Sequence, residues 1–154
     1  MPVSDIVYLD ICCFKRPFDD PTEERVRREA AAVATVLDDA HRGRVRLVRS
    51  PAHDFENGRN PREDRRLATS LGLEAAVIQT PASGTVAQRA RNLADLGFGL
   101  LDALHLAFAE ESQARWFVTT DDRLLRRASI HRERLNVHVL APDELPRATE
   151  GEDA

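Results

Sequence analysis

Carboxylates stand at points of this chain where an apolar run or an apolar helix begins or ends. Asp10 directly follows a first apolar run, and Glu56 comes shortly after a second one. Asp121 and Asp122 follow a later run. Asp102 lies in the first turn of an otherwise apolar helical segment, where a charge is costly unless it is paired or bound to a cation. Because Mg²⁺ and Mn²⁺ prefer oxygen ligands, these residues predict a hard divalent metal site wherever they converge.

Each carboxylate also has an ordinary structural explanation. Asp121 or Asp122 could cap the helix predicted over 123–127, and Asp102 could interact with its helix dipole. Asp10 is harder to explain in this way, because aspartate is disfavoured in strands and a turn would normally bring glycine or asparagine nearby.

The histidines and glycines favour no other chemistry. His105 lies one turn beyond Asp102, but no serine or cysteine nucleophile is placed beside it. We therefore interpret His105 as a hydrogen-bonded helix residue near the site. The other histidines do not have the spacing of zinc ligands, which argues against a zinc site. The sequence also lacks the GxxxxGK(S/T) and GxGxxG motifs, which argues against a nucleotide-binding loop.

The elements that must position these residues alternate between strands and helices. Short runs rich in β-branched residues predict five strands, at 6–9, 45–48, 76–79, 116–119 and 137–140. Helical periodicity and capping boxes predict helices at 21–40, from 85 to a stop at Gly97, and at 100–111. This alternation predicts an α/β fold, a parallel sheet flanked by helices on both faces, with ligands at the carboxyl ends of the strands.

Length and composition indicate one globular domain. The chain has 154 residues, of which 42% are hydrophobic and 31% charged, enough for a core without disulfides. We assign 1–146 to the domain and 147–154 to an acidic, disordered tail. No membrane-spanning run or signal peptide is present, and the adjacent Cys12 and Cys13 fit a reducing compartment, so we expect a cytoplasmic protein without membrane contact.

The order and spacing of these residues resemble the PIN-domain nucleases, and within them the toxin ribonucleases of the VapC type. The matching segments are Val7-Tyr8-Leu9-Asp10, Arg16 to Asp20, Ser50 with Glu56, Asp102 to Ala107, and Val118 to Asp121 followed by Arg123-Leu124-Leu125. The resemblance implies a single PIN-like domain with a five-stranded parallel sheet. It also implies a metal-dependent endonuclease acting on single-stranded RNA, with a catalytic and metal-binding quartet formed by Asp10, Glu56, Asp102 and Asp121.

Further expectations follow from this resemblance. Mg²⁺ or Mn²⁺ is the expected cofactor. Single-stranded or structured RNA and a small antitoxin protein are the expected partners, and we expect a homodimer. Thr119, Thr120 and Asp122 are expected around the quartet, because ligating carboxylates need hydroxyls or amides to orient them; ordinary strand threonines are the alternative. Cys12 departs from many family members, which carry asparagine or serine two residues after the first acid.

Charge is segregated along the chain. The net charge is -4, yet the segment 42–66 has eight arginines and four acids, a local charge of +4 that leaves -8 elsewhere. We predict that Arg59, Arg62 and Arg66, together with Arg16, bind RNA phosphates, since this needs only distributed positive charge. A solvated arginine-rich face is the simpler alternative.

The sequence therefore leaves two alternative functions. The first is an active ribonuclease restrained by an antitoxin. The second is a catalytically silent PIN fold that serves as an RNA- or protein-binding module, which Cys12 and the net acidity would permit. Because all four acids are present, the sequence favours the enzyme.

Overall fold

The structure is a computed structural model and describes residues 5–148. Its sheet has five parallel strands in the order β3-β2-β1-β4-β5. The strands are β1 (Asp5–Leu9), β2 (Val45–Arg49), β3 (Ile78–Gln79), β4 (Trp116–Val118) and β5 (His138–Leu140). The helices are α1 (Ile11–Lys15), α2 (Glu24–His41), α3 (Pro51–Gly58), α4 (Glu63–Leu73), α5 (Gly84–Asp95), α6 (Leu100–Glu111) and α7 (Asp122–Ile130).

The predicted fold class is confirmed. Hydrophobic side chains pack on both faces of the sheet, because neighbouring residues of a strand point to opposite sides. In β1, Tyr8 belongs to the core beneath α5, α6 and α7, whereas Val7 and Leu9 belong to the core beneath α1 and α2. The central strand β1 is buried on both sides, as strands of parallel sheets usually are, whereas the edge strands β3 and β5 each expose a residue.

Two helix starts differ from the prediction. The first helix begins at Glu24 rather than at 21, because Asp20 Oδ1 accepts hydrogen bonds from the backbone nitrogen (3.0 Å) and hydroxyl (2.8 Å) of Thr22. This side chain therefore closes a turn instead of capping the helix. The helix predicted to start at 85 is capped by Ser83, whose hydroxyl accepts from the backbone nitrogen of Val86 at 3.1 Å.

Three helices, α1, α3 and α4, were not predicted from the sequence. All three are short, at 5, 8 and 11 residues, so they show too few turns for a clear period. A start signal for α3 is nevertheless present, because Ser50 stands at the N-cap and Pro51 at the first helical position. Glu56 therefore lies on a helix and not in a loop.

The candidate site lies between β1 and β4, where the strand order of the sheet reverses direction. In the sheet, β1 pairs with β2 on one side and with β4 on the other, and Leu9 is in register with Val118. Asp10 and Thr119 are therefore neighbours just beyond the strand ends. Crevices at such switch points are where open α/β sheets bind ligands.

The ends of the chain bear on two predictions. Of the predicted tail, 149–154 lies outside the described residues, while Ala148 packs against the core and Arg147 lies 3.9 Å from Asp39. The domain boundary at 146 stays a prediction. Among residues 5–148, no helix has the length and apolar character needed to cross a membrane.

Candidate active site

Asp10 lies at the centre of the site and is held by three parts of the chain. It follows β1 and caps α1, with Oδ1 accepting from the backbone nitrogen of Ile11 at 2.9 Å. Its Oδ2 accepts from the hydroxyl of Thr119 at 2.8 Å. The side chain is only 6% exposed, and this burial raises the pKa of Asp10. A buried carboxylate that is held in one orientation can serve as a metal ligand.

Cys12 takes part in the hydrogen bonding around Asp10. Its Sγ lies 3.5 Å from Asp10 Oδ2 and 3.4 Å from Thr119 Oγ1. The backbone nitrogen of Thr120 donates to the same sulfur at 3.3 Å. Thr119 also links Asp10 to the next acid, because its hydroxyl oxygen accepts from the backbone nitrogen of Asp121 at 3.1 Å. Since sulfur is a weak hydrogen-bonding atom, the Thr119 hydroxyl is the main side-chain donor to Asp10.

Glu56 reaches the site from α3 and is oriented by a buried chain of hydrogen bonds. His105 Nε2 lies 2.9 Å from Glu56 Oε1, and His105 Nδ1 lies 2.6 Å from the hydroxyl of Tyr8. The Tyr8 hydroxyl is also 2.7 Å from Ser50 Oγ. In the neutral imidazole, Nε2 donates to the carboxylate, Nδ1 accepts from Tyr8, and Ser50 donates to Tyr8. This arrangement makes His105 the residue that fixes the position of Glu56.

His53 fixes the start of α3 against the end of β1. Its Nδ1 accepts from the backbone nitrogen of Ser50 at 3.1 Å, so Nε2 carries the proton and donates to the carbonyl of Leu9 at 2.7 Å. Burial lowers the pKa of His53 to about 3, with the neighbouring His105 as the next cause. His53 is therefore neutral, and it holds the helix that carries Glu56 close to Asp10.

Asp102 and Asp121 complete the acidic group from two other helices. Asp102 is half-buried in the first turn of α6, and burial, followed by the charges of Asp10 and Asp121, raises its pKa to about 6. Asp121 caps α7 through Oδ1, which accepts from the backbone nitrogens of Arg123 (2.9 Å) and Leu124 (3.3 Å). Both acids line one pocket. Asp121 thus combines the capping role considered from the sequence with a position in the acidic group.

The candidate metal ligands are not all equally close to one another. Ligand atoms of Asp10, Glu56 and His105 all lie within 4.8 Å of one another, a spacing that could hold a metal ion. Asp102 and Asp121 join this group through their electrostatic effect and their shared pocket. In the part of the chain that the structure describes, no arginine or lysine forms an ion pair with these four acids, and Glu56 has the imidazole of His105 as its hydrogen-bond partner.

Thr120 and Asp122 are tied to α2 and not to the acids. Arg25 donates to both carboxylate oxygens of Asp122, at 2.8 and 2.9 Å, and to the carbonyl of Thr120 at 2.9 Å. Asp122 is exposed, and this hydrogen bonding lowers its pKa. Arg25 therefore fixes the loop from β4 to α7, which carries Thr119 and Asp121.

The arginines predicted to bind RNA have diverse surroundings. Arg16 is paired with Glu29 at 2.7 Å and Asp19 at 3.0 Å, and Arg62 is paired with Asp64 at 3.2 Å. Arg66 donates to the carbonyl of Asn60 at 2.8 Å, and the Arg59 guanidinium lies 5.4 Å from the ring centre of Phe55. Four further arginines of the segment pair with acids, namely Arg42, Arg44, Arg49 and Arg65. Acids from elsewhere in the chain thus offset part of the local charge.

No role was predicted from the sequence for Tyr8, Ser50 or His53. Tyr8 stands in a strand whose apolar neighbours conceal its hydroxyl, and Ser50 and His53 belong to the helix that was missed. The one available signal was the Ser-Pro pair that starts α3. His105 was expected to be a hydrogen-bonded helix residue, and the structure shows such bonds at both ring nitrogens.

Comparison with known proteins agrees with this fold. A family model for the PIN domain matches residues 7–130, so the chain belongs to the PIN domain family. The crystal structure of VapBC2 from Rickettsia felis bound to a DNA fragment from their promoter is similar, with a TM-score of 0.52. The match covers 88% of this chain and 98% of that chain at 13% identity, which shows a shared fold. No curated protein matches.

Removing the Tyr8 hydroxyl tests the role of the hydrogen-bond chain. Tyr8→Phe leaves His105 Nδ1 without its partner in a buried site, so we expect a loss of about 1–3 kcal/mol in the free energy of unfolding. We also expect Mn²⁺ affinity to fall by about 10-fold, because residues that orient ligands typically contribute this much. Urea unfolding and Mn²⁺ titration measure the two effects. Ser50→Ala is the control, since it keeps the bond from Tyr8 to His105; equal Mn²⁺ affinity of both variants would contradict the role of His105.

Proposed function

We propose that this chain is a metal-dependent endoribonuclease that hydrolyses phosphodiester bonds in single-stranded RNA and is the toxin of a toxin–antitoxin pair. The observation that carries the proposal is the acidic group formed by Asp10, Glu56, Asp102 and Asp121, which come from four different elements. Membership of the PIN domain family and the similarity to a VapBC2 complex support it.

The residues of the site fit a hard divalent cation. The donors are mainly carboxylate oxygens, which Mg²⁺ and Mn²⁺ prefer. Burial, followed by repulsion from neighbouring carboxylates, raises the pKa of Asp102 to about 6, and within residues 5–148 no arginine or lysine pairs with the four acids. A cation with two positive charges would relieve this repulsion. Asp10, Glu56, Asp102 and Asp121 would hold it.

The protein side chains position the carboxylates, and a bound ion would activate the phosphate and the attacking water. A divalent ion held by Asp10, Glu56, Asp102 and Asp121 would supply polarisation of the scissile phosphate and a lower pKa for the attacking water, so no side-chain nucleophile would be needed. Thr119 and the Ile11 amide orient the Asp10 carboxylate, and His105 orients that of Glu56. This preorganisation keeps the ligands in place before the substrate arrives.

Partners and location belong to the same proposal. A toxin of this kind is restrained by a small antitoxin protein, acts in the cytoplasm and forms a homodimer. The VapBC2 structure holds a toxin–antitoxin complex with promoter DNA, and its fold is similar to that of this chain. Light scattering of the purified chain measures the oligomeric state, and a monomer at micromolar concentration would contradict the homodimer.

Chelation gives the direct test of the proposed activity. We expect the purified protein to cleave single-stranded RNA with Mg²⁺ or Mn²⁺, to lose all cleavage in EDTA, and to regain it when the ion is restored. Asp10→Asn, purified in parallel, controls for a contaminating ribonuclease. Gel analysis of a labelled oligoribonucleotide measures the products. Cleavage that survives chelation would contradict metal dependence, and RNA binding without any cleavage would favour the silent binding module.

A further inference from the structure

A group of arginines lies beside the acidic site and has no part in the proposed chemistry. Arg123, Arg126 and Arg127 line the same pocket as Asp102 and Asp121. All three arginines are on α7 and are exposed. The acidic end of this pocket and its basic end therefore form one continuous surface.

Helix geometry places the basic side chains together. Arg126 and Arg127 follow Arg123 by three and four residues, which puts them on one face of α7. Leu124 and Ala128 are the buried residues of this helix and anchor it to the core. The arginine face is thus presented by a rigid element and extends along the helix away from the Asp121 cap.

These arginines differ from the basic segment 42–66 in their charge balance. Within residues 5–148, no aspartate or glutamate forms an ion pair with Arg123, Arg126 or Arg127. In the basic segment, by contrast, Arg62 and several others are paired with acids. The α7 arginines therefore retain the positive charge that a polyanion requires.

The backbone leaves room for one of these side chains. The guanidinium of Arg127 lies against Gly97 and donates to the carbonyl of Leu96 at 3.3 Å. A Cβ atom at position 97 would overlap the guanidinium, and the φ of +100° there favours glycine. Gly97 therefore lets Arg127 remain beside the pocket.

We infer that the arginine face of α7, formed by Arg123, Arg126 and Arg127, binds the RNA phosphates that flank the scissile phosphate. The inference rests on the nuclease function proposed above. One phosphate of the strand would lie at the acidic end, where a divalent ion held by the carboxylates would offset its charge, and the phosphates beside it need positive side chains. Guanidinium groups bind phosphate oxygens in a bidentate manner, and successive phosphates match a row of arginines along one helix face.

A salt titration with two triple variants tests this inference. Arg123, Arg126 and Arg127 are replaced by glutamine in one, and Arg59, Arg62 and Arg66 in the matched control. Fluorescence anisotropy in EDTA measures binding of a labelled single-stranded oligoribonucleotide without cleavage. The α7 variant is expected to bind about tenfold more weakly, with a salt slope lower by about 2, because each phosphate that is no longer neutralised lowers the slope by about 0.7. The control variant should retain most of the wild-type slope.

The outcomes separate this inference from the proposed activity. A lower slope in the α7 variant supports the inference even when the wild type cleaves nothing, whereas an unchanged slope overturns it even when the wild type is an active nuclease. Polyglutamate that binds the wild type as tightly as RNA, with the same weakening in the α7 variant, would assign the face to an acidic protein partner and also overturn it. If the triple variant does not melt like the wild type, the same titration with Arg123 and Arg126 replaced should lower the slope by about 1.4.

Discussion

Asp102→Asn is expected to lower RNA cleavage by more than about 100-fold while leaving the metal-free protein at least as stable as the wild type. Residues that only orient metal ligands contribute about 10–100-fold, so loss of a ligand charge should cost more. Stability should not fall, because the substitution removes a half-buried charge that Asp10 and Asp121 repel. Cleavage assays with Mg²⁺ and urea unfolding in EDTA measure both quantities on one preparation.

The opposite result is expected if Asp102 only complements its helix dipole. Asp102→Asn would then cost about 0.3–1 kcal/mol of stability and leave cleavage near the wild-type rate. Asp64→Asn provides the matched control, because Asp64 also lies in the first turn of a helix but is exposed and paired with Arg62. This control should show the small stability loss without a change in activity. Full activity of Asp102→Asn would remove Asp102 from the metal site.

Stabilisation of the protein by Mn²⁺ is expected to be large and to increase with pH. An ion that binds only the folded state at 100 times its dissociation constant adds about 2.7 kcal/mol to the free energy of unfolding. The carboxylates must be ionised to bind it, and the pKa of Asp102 is raised from 3.8 to about 6. The melting temperature measured with and without Mn²⁺ should therefore differ more at pH 7.5 than at pH 5.

The metal-free protein should show the opposite trend over part of this range. Between pH 3.8 and about 6, the folded state keeps the Asp102 proton while the unfolded state releases it, so the contribution of Asp102 to stability is lost as the pH rises through this window. Asp10 contributes in the same direction, because burial also raises its pKa. Asp102→Asn should reduce this decline. A metal effect that is equal at both pH values would contradict coupled proton release.

Secondary structure was predictable where local patterns are long or strongly apolar. The helix α6 matches its predicted bounds, and the five strands appear within one or two residues of their predicted positions, because apolar periodicity reports burial directly. Short helices were not predictable in this way, since α1 and α3 owe their position to packing and caps rather than to a period. The turn closed by Asp20 shows the same limit, because the Asp20 side chain accepts a hydrogen bond from the nearby Thr22 backbone nitrogen and does not cap the helix.

The chemistry available to this protein follows from the amino-acid sequence alone: three carboxylates next to the end of a strand or the start of a helix, and Glu56 shortly after a strand, in an alternating α/β chain. How these carboxylates are held depends on the tertiary structure. Tyr8 meets His105 across 97 positions, and that contact orients Glu56. The tertiary structure also determines which arginines are paired with acids, since the partners of Arg44 and Arg65 lie outside the basic segment 42–66. Such pairings depend on distance in space, which periodicity and composition along the chain do not encode.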